Sequence, residues 1–336
     1  MTGDFAHICG SDALPGHLPG GVVAIGNFDG VHRGHRAVLD RALEEARRLG
    51  APALVLTFDP HPRTVFRPDV PLFRLNAPKL KARLIAACGF DGLVEQRFDL
   101  DFAQLSAEEF VDRILVERLG IRHAVTGFDF HFGKARGGGP AFLMEAGERH
   151  GFGVTLVDAF RDEGAEIVSS SRIRELLAAG DVAQAAALLG YRFAVEAEII
   201  GGKKLGRTLG YPTANMMLPG DVHLAHGIYA VRMRRADGSL HDGVASFGRR
   251  PTVTQDGAAL LETFLFGFSG DLYGETCQVG FFAFLRGEEK FDGLDALVVQ
   301  MKRDEAEARA VMSKAQPVGE LDAALHFAVP TRGVVT

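Results

Sequence analysis

Apolar positions in the first half of the chain follow two different periods. Short apolar runs recur from residue 21 onward, namely GVVAIGNF, APALVLTF, DGLVEQRF, RHAVTGF and GVTLVDAF. The stretch HRAVLDRALEEARRLG between the first two repeats its apolar residues at helical spacing and ends on Gly50, a typical helix stop. Strands that alternate with helices predict parallel strands joined by crossover helices. We therefore predict an α/β domain for this half.

The pattern changes between residues 185 and 192. Before the change, RIRELLAAGDVAQAAALLG reads as one helical stretch that ends at Gly190. After it, Gly, Asp and Pro separate FAVEAEII, GIYAVRMRR, GVASFG, ALLETFLFGF and ETCQVGFFAFL, which predict a closed antiparallel β-barrel. The stretch LDALVVQMKRDEAEARAVMS predicts one C-terminal amphipathic helix. A length of 336 residues favours two domains, and we place them at residues 1–187 and 188–336.

Composition and charge exclude several classes of protein. A hydrophobic content of 47% and a charged content of 24% are those of an ordinary globular protein. The net charge of -6 shows no excess of Lys and Arg that would bind nucleic-acid phosphates, so we expect no nucleic-acid partner. The three cysteines Cys9, Cys88 and Cys277 are odd in number and far apart, which disfavours a disulfide framework and fits a reducing cytoplasm.

Membrane and export signals are missing from the sequence. The first twenty residues contain no apolar stretch typical of a signal peptide, and no segment approaches the roughly 18 apolar residues of a membrane span. We therefore expect a cytoplasmic protein without a membrane partner, and the sequence leaves self-association open.

The segment GNFDGVHRGH (26–35) places two histidines where a helix begins. His32 and His35 are three positions apart, so both imidazoles lie on one side of the first helical turn. Free backbone N–H groups and the helix dipole favour anions there, and Gly34 allows a nucleotide to approach the backbone closely. The alternative is a chance pair of surface histidines, which a bare HxxH motif would favour. A metal site is disfavoured because HExxH is absent.

GNFDGVHRGH resembles the HxGH signature of the nucleotidyltransferase superfamily. Its longer form, GxFDGVHxGH, is similar to the adenylyltransferase half of prokaryotic bifunctional riboflavin kinase/FAD synthetases. The resemblance continues, in order, in TFDPHPRTVF, GFDFHFGKARGG and VSSSRIRELL. It implies a Rossmann-like domain in which Asn27, Phe28 and Gly34 contact ATP. His32 and His35 would stabilise charge that develops when one phosphate attacks another, without a protein nucleophile.

VSSSRIR stands where the superfamily carries a second signature, ISSTxxR. The resemblance implies that Ser170, Ser171 and Arg174 bind the triphosphate, with Ser171 in place of the usual threonine. Physically, Ser170 or Ser171 would cap a helix while the Arg174 guanidinium binds phosphate oxygens. The alternative is an ordinary serine cap with a solvated arginine.

GFDFHFG alternates aromatic and polar residues. A strand here would place Phe128, Phe130 and Phe132 on one face, where core packing is the default expectation. The resemblance places Asp129 near the nucleotide and flavin sites. An acidic residue common in the family is replaced by Gly139.

The segment GGKKLGRTLGYPTAN (201–215) comes close to a phosphate-binding P-loop. Arg207 takes the place of the required lysine, and Gly210 with Pro212 blocks the required helix, so we reject that motif. The segment instead resembles the riboflavin kinase signature GRTLGxPTAN. The resemblance implies that Gly206 and Arg207 contact ATP and that Thr213 and Asn215 bind Mg-ATP. Their oxygens are hard ligands suited to Mg²⁺.

Glu262 stands where the kinase family has its catalytic glutamate. A carboxylate in a largely apolar strand is costly unless it has a partner or a function, here acceptance of the riboflavin 5'-hydroxyl proton. The alternative is a strand residue that faces solvent. LRGEEKF resembles the family's LRxExKF pattern, which implies a flavin contact for Arg286. The departures from the family are Ser246 and Phe247 within SFGRRPT, Phe264 in place of a histidine, and Gly267 in place of an aspartate.

The resemblance covers about residues 21–312 and implies two reactions in series, with Mg²⁺ as cofactor and ATP, riboflavin and FMN as substrates. The C-terminal domain would phosphorylate riboflavin to FMN, and the N-terminal domain would join FMN to AMP from a second ATP. Two alternatives are another small-molecule adenylyltransferase fused to a regulatory barrel and a flavin carrier with a decayed kinase site. The GRTLGYPTAN segment disfavours the first, and retention of Glu262 disfavours the second.

Overall fold

The computed structural model describes residues 5–202, 209–249 and 259–328. The chain divides into two compact units. The first comprises Met1–Leu72 and Pro78–Ser169, and the second comprises Phe73–Ala77 and Ser170–Thr336. Within the described residues, the first unit contains a parallel sheet with helices and the second contains a closed barrel.

The sheet of the first unit is parallel throughout. Its described strands are β1 (Ala6–Cys9), β2 (Val22–Ile25), β3 (Ala53–Asp59), β4 (Gly92–Arg97), β5 (His123–Gly127) and β6 (Gly153–Val157). They lie in the order β1-β4-β3-β2-β5-β6. From β2 the chain continues through β3 and β4 on one side of the sheet and then returns to add β5 and β6 on the other side. The order of the strands therefore changes direction between β2 and β5. Ligands of open α/β sheets bind at the carboxyl ends of the strands at such a point. The predicted α/β class is confirmed, whereas β1 was not predicted.

Helices connect these strands. They are α1 (Arg33–Leu49), α2 (Pro62–Phe66), α3 (Pro78–Ala87), α4 (Ala107–Phe110), which continues as a π-helical stretch (Val111–Arg118), and α5 (Pro140–His150). Helix α1 ends at Gly50 in the left-handed conformation, as the sequence predicts. Every residue of β2 is buried, as expected for a strand covered on both faces.

The predicted strand around Phe128 is wrong. Strand β5 ends at Gly127, and Phe130 N–H donates to the Gly127 carbonyl at 3.1 Å, which closes a turn. The Phe128 ring is 48% exposed, while the rings of Phe130 and Phe132 stack at 5.4 Å. The three rings therefore do not share one strand face.

The predicted single helix between residues 172 and 190 is also wrong. Two helices form instead, α6 (Ser170–Ala178) and α7 (Val182–Leu189). Gly180 between them has φ of +83°, which ends α6, and the Asp181 carboxylate caps α7 by accepting from Gln184 N–H at 3.0 Å.

The second unit contains a closed antiparallel barrel, as predicted. Its described strands are β7 (Ala194–Ile200), β8 (Thr213–Leu218), β9 (Gly227–Arg234), β10 (Leu240–Arg249), β11 (Ala259–Leu265) and β12 (Thr276–Gly287), in the order β10-β11-β8-β7-β12-β9. The predicted C-terminal helix is α8 (Leu294–Met312), and a shorter α9 (Glu320–His326) follows it. Large buried rings of Tyr229, Phe247 and Phe281 fill the core.

The compact units and the predicted domains divide the chain at different places. Helices α6 and α7 belong to the same compact unit as the barrel. The predicted boundary after residue 187 falls inside α7 and assigns α6 and most of α7 to the first reaction instead. That functional assignment stays a prediction.

Candidate active sites

The loop between β2 and α1 carries strained backbone at two non-glycine residues. Phe28 has φ of +46° and Val31 has φ of +39°, in the left-handed region that residues with a Cβ avoid. Each such residue costs on the order of 1–3 kcal/mol and persists only where its surroundings fix it. Both residues are buried, so packing holds this loop in shape at the carboxyl end of β2.

His32 caps helix α1 with its side chain. The Nδ1 atom accepts a hydrogen bond from the backbone N–H of His35 at 3.2 Å. A ring nitrogen that accepts carries no proton, so the neutral ring has its proton on Nε2. The cap therefore fixes both the orientation and the tautomer of this imidazole.

The rings of His32 and His35 lie side by side at the start of α1. Their centroids are 3.6 Å apart with planes inclined by 16°, and the Phe28 ring meets His35 edge-on at 5.4 Å. Burial, followed by His32 and Lys81, holds the pKa of His35 well below 6.5, because each disfavours a positive charge on the ring. Within the described residues, the buried Nδ1 of His35 has no hydrogen-bond partner. A neutral His35 ring beside His32 at a helix N-terminus suits contact with phosphate oxygens.

Gly34 leaves no room for a side chain. A Cβ at this position would lie 3.1 Å from both the Val168 carbonyl oxygen and His32 Cε1. Because the backbone cannot yield easily, an added methyl group would displace the His32 ring.

For the adenylyl transfer that the resemblance implies, we expect Gly34→Ala to lower FAD formation from supplied FMN by about 10²-fold, the cost of a misplacement near 1 Å. Riboflavin phosphorylation should stay unchanged, and both rates are measured by chromatography of the flavins. Gly16→Ala is the matched control, because a Cβ there meets nothing within 4 Å. An unchanged rate of FAD formation in Gly34→Ala would contradict a role for this His32 position.

Two buried polar residues beside the loop were not singled out from the sequence. Lys81 Nζ donates to the Asn27 carbonyl oxygen at 3.0 Å, and Thr57 Oγ1 donates to the same oxygen at 2.9 Å. The signal that identifies Lys81 is its position on the apolar face of α3, three and four residues before Leu84 and Ile85. Asn27 itself is exposed.

The loop after β5 follows a strand that pairs with β2. Asp129 is exposed in this loop, and its Oδ1 lies within 3.1 Å of where a Cβ of Gly127 would stand. Gly139 occupies the N-cap position of α5 and provides no side-chain cap. Because glycine replaces the family's acidic residue at this position, helix α5 begins without a side-chain cap.

The second signature begins helix α6 in the other compact unit. The helix starts at Ser170, and a cap by Ser170 or Ser171 stays a prediction. Ser170 and Ser171 occupy the first turn, whose N–H groups lack helical partners. Arg174 Nε donates to the Phe73 carbonyl oxygen at 2.6 Å, which fixes the direction of the guanidinium.

The predicted kinase residues share one face of the barrel wall. Glu262 pairs directly with Asn215 on β8 and with Ser246 on β10. Side chains of directly opposed residues in an antiparallel pair lie on the same face, and Thr213 joins them two positions before Asn215. The intervening Ala214 and Thr263 are buried on the opposite face. The register thus brings Thr213, Asn215 and Glu262 together.

Asn215 holds a buried polar atom that lacks a partner. Its Nδ2 donates to the Thr213 carbonyl oxygen at 3.2 Å, while Oδ1 has no hydrogen-bond partner in the part of the chain that the structure describes. A Cβ at Gly202 would lie 2.5 Å from Nδ2, so the backbone presses closely on this side chain. This buried oxygen is therefore available for a hydrogen bond or a metal contact.

The glycine-rich segment before β8 is only partly described. Gly206 and Arg207 lie outside the described residues. Residues 209–212 lead directly into β8 without a helix, which agrees with rejection of a P-loop.

The Arg286 side chain holds helix α8. Its Nε and Nη2 donate to Asp304 Oδ1 and Oδ2 at 2.8 and 2.7 Å, and Asp304 is buried. Such a two-bond ion pair is strong and directional, so the guanidinium fastens β12 to α8.

The residues that depart from the family pattern lie in different environments. Phe247 is completely buried and meets His226 edge-on, so it is a core residue, whereas Ser246 faces Glu262. Phe264 packs edge-on against Tyr211 at 4.8 Å. Gly267 has φ of +66° in a turn, a conformation that favours glycine over aspartate.

Comparison with family models divides the chain in the same order as the two sites. Residues 15–172 match the model described as FAD synthetase, and residues 189–312 match the model described as riboflavin kinase. Among the described residues, no helix is both long and apolar enough to cross a membrane.

Curated relatives match across most of the chain. A bifunctional riboflavin kinase/FMN adenylyltransferase of Escherichia coli K12 is 40% identical over 89% of this chain and 95% of its own length. One of Pseudomonas fluorescens is 43% identical over 87% and 93%. A crystal structure from Streptococcus pneumoniae, described as a macrolide-efflux protein, is 32% identical with a TM-score of 0.79, and covers 91% of this chain and 98% of its own.

Proposed function

This chain belongs to the bifunctional riboflavin kinase/FMN adenylyltransferase family, and from that premise we propose that residues 1–187 carry adenylyl transfer and residues 188–336 carry phosphorylation. ATP phosphorylates riboflavin to FMN, and a second ATP converts FMN to FAD with release of pyrophosphate. One observation supports the placement of the sites: each predicted site contains a buried polar atom without a partner in the described residues, His35 Nδ1 and Asn215 Oδ1.

In adenylyl transfer, an oxygen of the FMN phosphate attacks the α-phosphorus of ATP, and the bond from that phosphorus to the pyrophosphate oxygen breaks. We propose that His32 Nε2–H and His35 donate to oxygens on the reacting phosphates as negative charge develops there. Preorganised donors act most strongly when they need no rearrangement during the reaction. The cap on His32 and the packing of His35 against Phe28 supply that preorganisation.

In phosphorylation, the 5'-hydroxyl oxygen of riboflavin attacks the γ-phosphorus of ATP, the bond from that phosphorus to the bridging oxygen breaks, and ADP leaves. We propose that Glu262 accepts the proton of the attacking hydroxyl. The oxygens of Thr213 and Asn215 suit Mg²⁺, and the orphaned Asn215 Oδ1 fits such an ion. Bound Mg²⁺ would neutralise negative charge on the phosphates. The register supports this arrangement, because it places Glu262 directly opposite Asn215.

The remaining assignments are proposals of the same kind. Arg174, with the N–H groups around Ser170 and Ser171, would bind triphosphate oxygens, and Asp129 with Phe28 would border the nucleotide. Gly206 and Arg207 would contact ATP in the kinase site. Because the Arg286 guanidinium is held by Asp304, we propose that any flavin contact at Arg286 uses this fixed orientation.

The cellular setting is also a proposal. The three cysteines are all free, which suits a cytoplasmic location. With a net charge of -6 we propose no nucleic-acid partner, and self-association stays open.

The division between the sites is tested by supplying each flavin separately. With riboflavin and Mg-ATP, we expect FMN and then FAD in the chromatogram, and with FMN and Mg-ATP we expect FAD and pyrophosphate. Removal of Mg²⁺ with EDTA should stop FMN formation, and readdition should restore it. Riboflavin that binds without conversion would indicate a carrier and contradict the proposal.

A further inference from the structure

Lys81 is a buried lysine on helix α3. It is 3% exposed, and it shares the apolar face of the helix with Leu84 and Ile85. Removal of an ammonium group from water costs several kcal/mol unless hydrogen bonds compensate for lost hydration. A lysine at this position therefore indicates a function that a leucine would not serve.

The ammonium group of Lys81 contacts the loop before the two histidines. Its Nζ lies 3.0 Å from the Asn27 carbonyl oxygen and 3.3 Å from Thr57 Oγ1. Thr57 Oγ1 in turn donates to the same carbonyl at 2.9 Å. Helix α3 and strand β3 thus both hold one backbone oxygen at the point where the chain leaves β2.

The held carbonyl directly precedes the strained part of the loop. Phe28, with φ of +46°, follows Asn27, and its ring packs edge-on against His35. Strained backbone persists only where its surroundings determine it, and the two hydrogen bonds to Asn27 are part of those surroundings. A continuous path of contacts therefore leads from Lys81 through Asn27 and Phe28 to His35.

The charge of Lys81 also acts on His35. Burial is the largest cause of the lowered pKa of His35, followed by His32 on the same helix and Lys81 on α3. The ring that packs against His35 from the loop, Phe28, is uncharged. Loss of the positive charge at position 81 would therefore raise the pKa of His35 toward its ordinary value.

We propose that Lys81 is a positioning residue for adenylyl transfer, which holds the Asn27 carbonyl and places a positive charge near His35. The proposal rests on the assignment of adenylyl transfer to His32 and His35. Lys81 acts on the reaction through the loop and the imidazole, so its effects on rate and on pH dependence are separable.

The test compares full-length Lys81→Met, Lys81→Gln and Lys81→Arg. Lys81→Met should lower kcat/KM for FAD formation from FMN by about 10²-fold, because the loop loses its anchor. Lys81→Gln keeps a donor without the charge, so it should recover part of the rate while the acid limb of its pH profile moves to higher pH. Lys81→Arg keeps the charge, so its acid limb should stay in place.

Riboflavin phosphorylation is the internal control and should change less than twofold in all three variants. Ile85→Val, on the same helix face, is the matched control for a modest loss of core packing, about 1 kcal/mol. It should leave the pH profile unmoved. An unchanged FAD rate in Lys81→Met, or an acid limb that stays in place in Lys81→Gln, would overturn the proposal. If His32→Ala loses FAD formation while Lys81→Met does not, the proposed site stands and only the inference about Lys81 fails.

Discussion

Replacement of Glu262 by glutamine is expected to lower FMN formation by about 10²–10⁴-fold, the usual contribution of a general base. Glutamine keeps the size of the side chain and its place opposite Asn215, but it cannot accept the proton of the riboflavin 5'-hydroxyl. FAD formation from supplied FMN should remain at the parental rate, because the histidine pair belongs to another compact unit. The measurement is chromatography of flavins with riboflavin and with FMN as separate substrates.

Glu198→Gln provides the matched control for Glu262→Gln. Glu198 is an exposed glutamate in barrel strand β7, so its substitution makes the same chemical change at a solvent-exposed strand position. Both reactions should be unaffected. A parental rate of FMN formation in Glu262→Gln would exclude Glu262 as the base.

The second large effect is expected for His32. His32→Ala removes both the donor at Nε2 and the side-chain cap of α1. Loss of one preorganised donor at a developing charge costs about 10²–10³-fold in rate. We expect FAD formation to fall by at least this much while riboflavin phosphorylation continues.

His32→Asn separates catalysis from helix capping. Asparagine is among the best N-cap residues, so it should restore about 1 kcal/mol of stability lost in His32→Ala. It cannot place a donor where the imidazole does, so FAD formation should stay low. Thermal unfolding gives the stability and the flavin assay gives the rate. Recovery of FAD formation together with stability in His32→Asn would show that His32 acts only as a cap.

The sequence predicts most of the architecture because strong periodic patterns determine it. Buried β2 and the helical spacing of α1 leave little choice of structure, and Gly50 ends that helix as predicted. The break at Gly180 was missed because apolar spacing continues across it, although the left-handed glycine and the Asp181 cap end one helix and begin another. A local hydrogen bond from Phe130 N–H to the Gly127 carbonyl oxygen closes the turn after Gly127, and the alternation of aromatic and polar residues does not reveal it.

Site residues divide in a similar way. Motifs identify His32, Asn215 and Glu262 as the proposed site residues, because those segments are specific in length and order. Lys81 has no motif, and only the fold brings its ammonium group to the Asn27 carbonyl. The sequence does not predict the ion pair of Arg286 with Asp304 either, because eighteen positions separate the two partners along the chain.

The alternation of side chains in β8 and β11 has a practical consequence for protein engineering. Met216 and Leu261 project to the side of the wall opposite Asn215 and Glu262, and both are completely buried. Hydrophobic repacking there is expected to alter thermostability through side-chain volume and fit, whereas substitutions at the proposed kinase residues Asn215 and Glu262 are expected to alter turnover. A mutant library that varies only every second residue of β8 and β11 would thus change either thermostability or turnover, depending on which set of positions is varied.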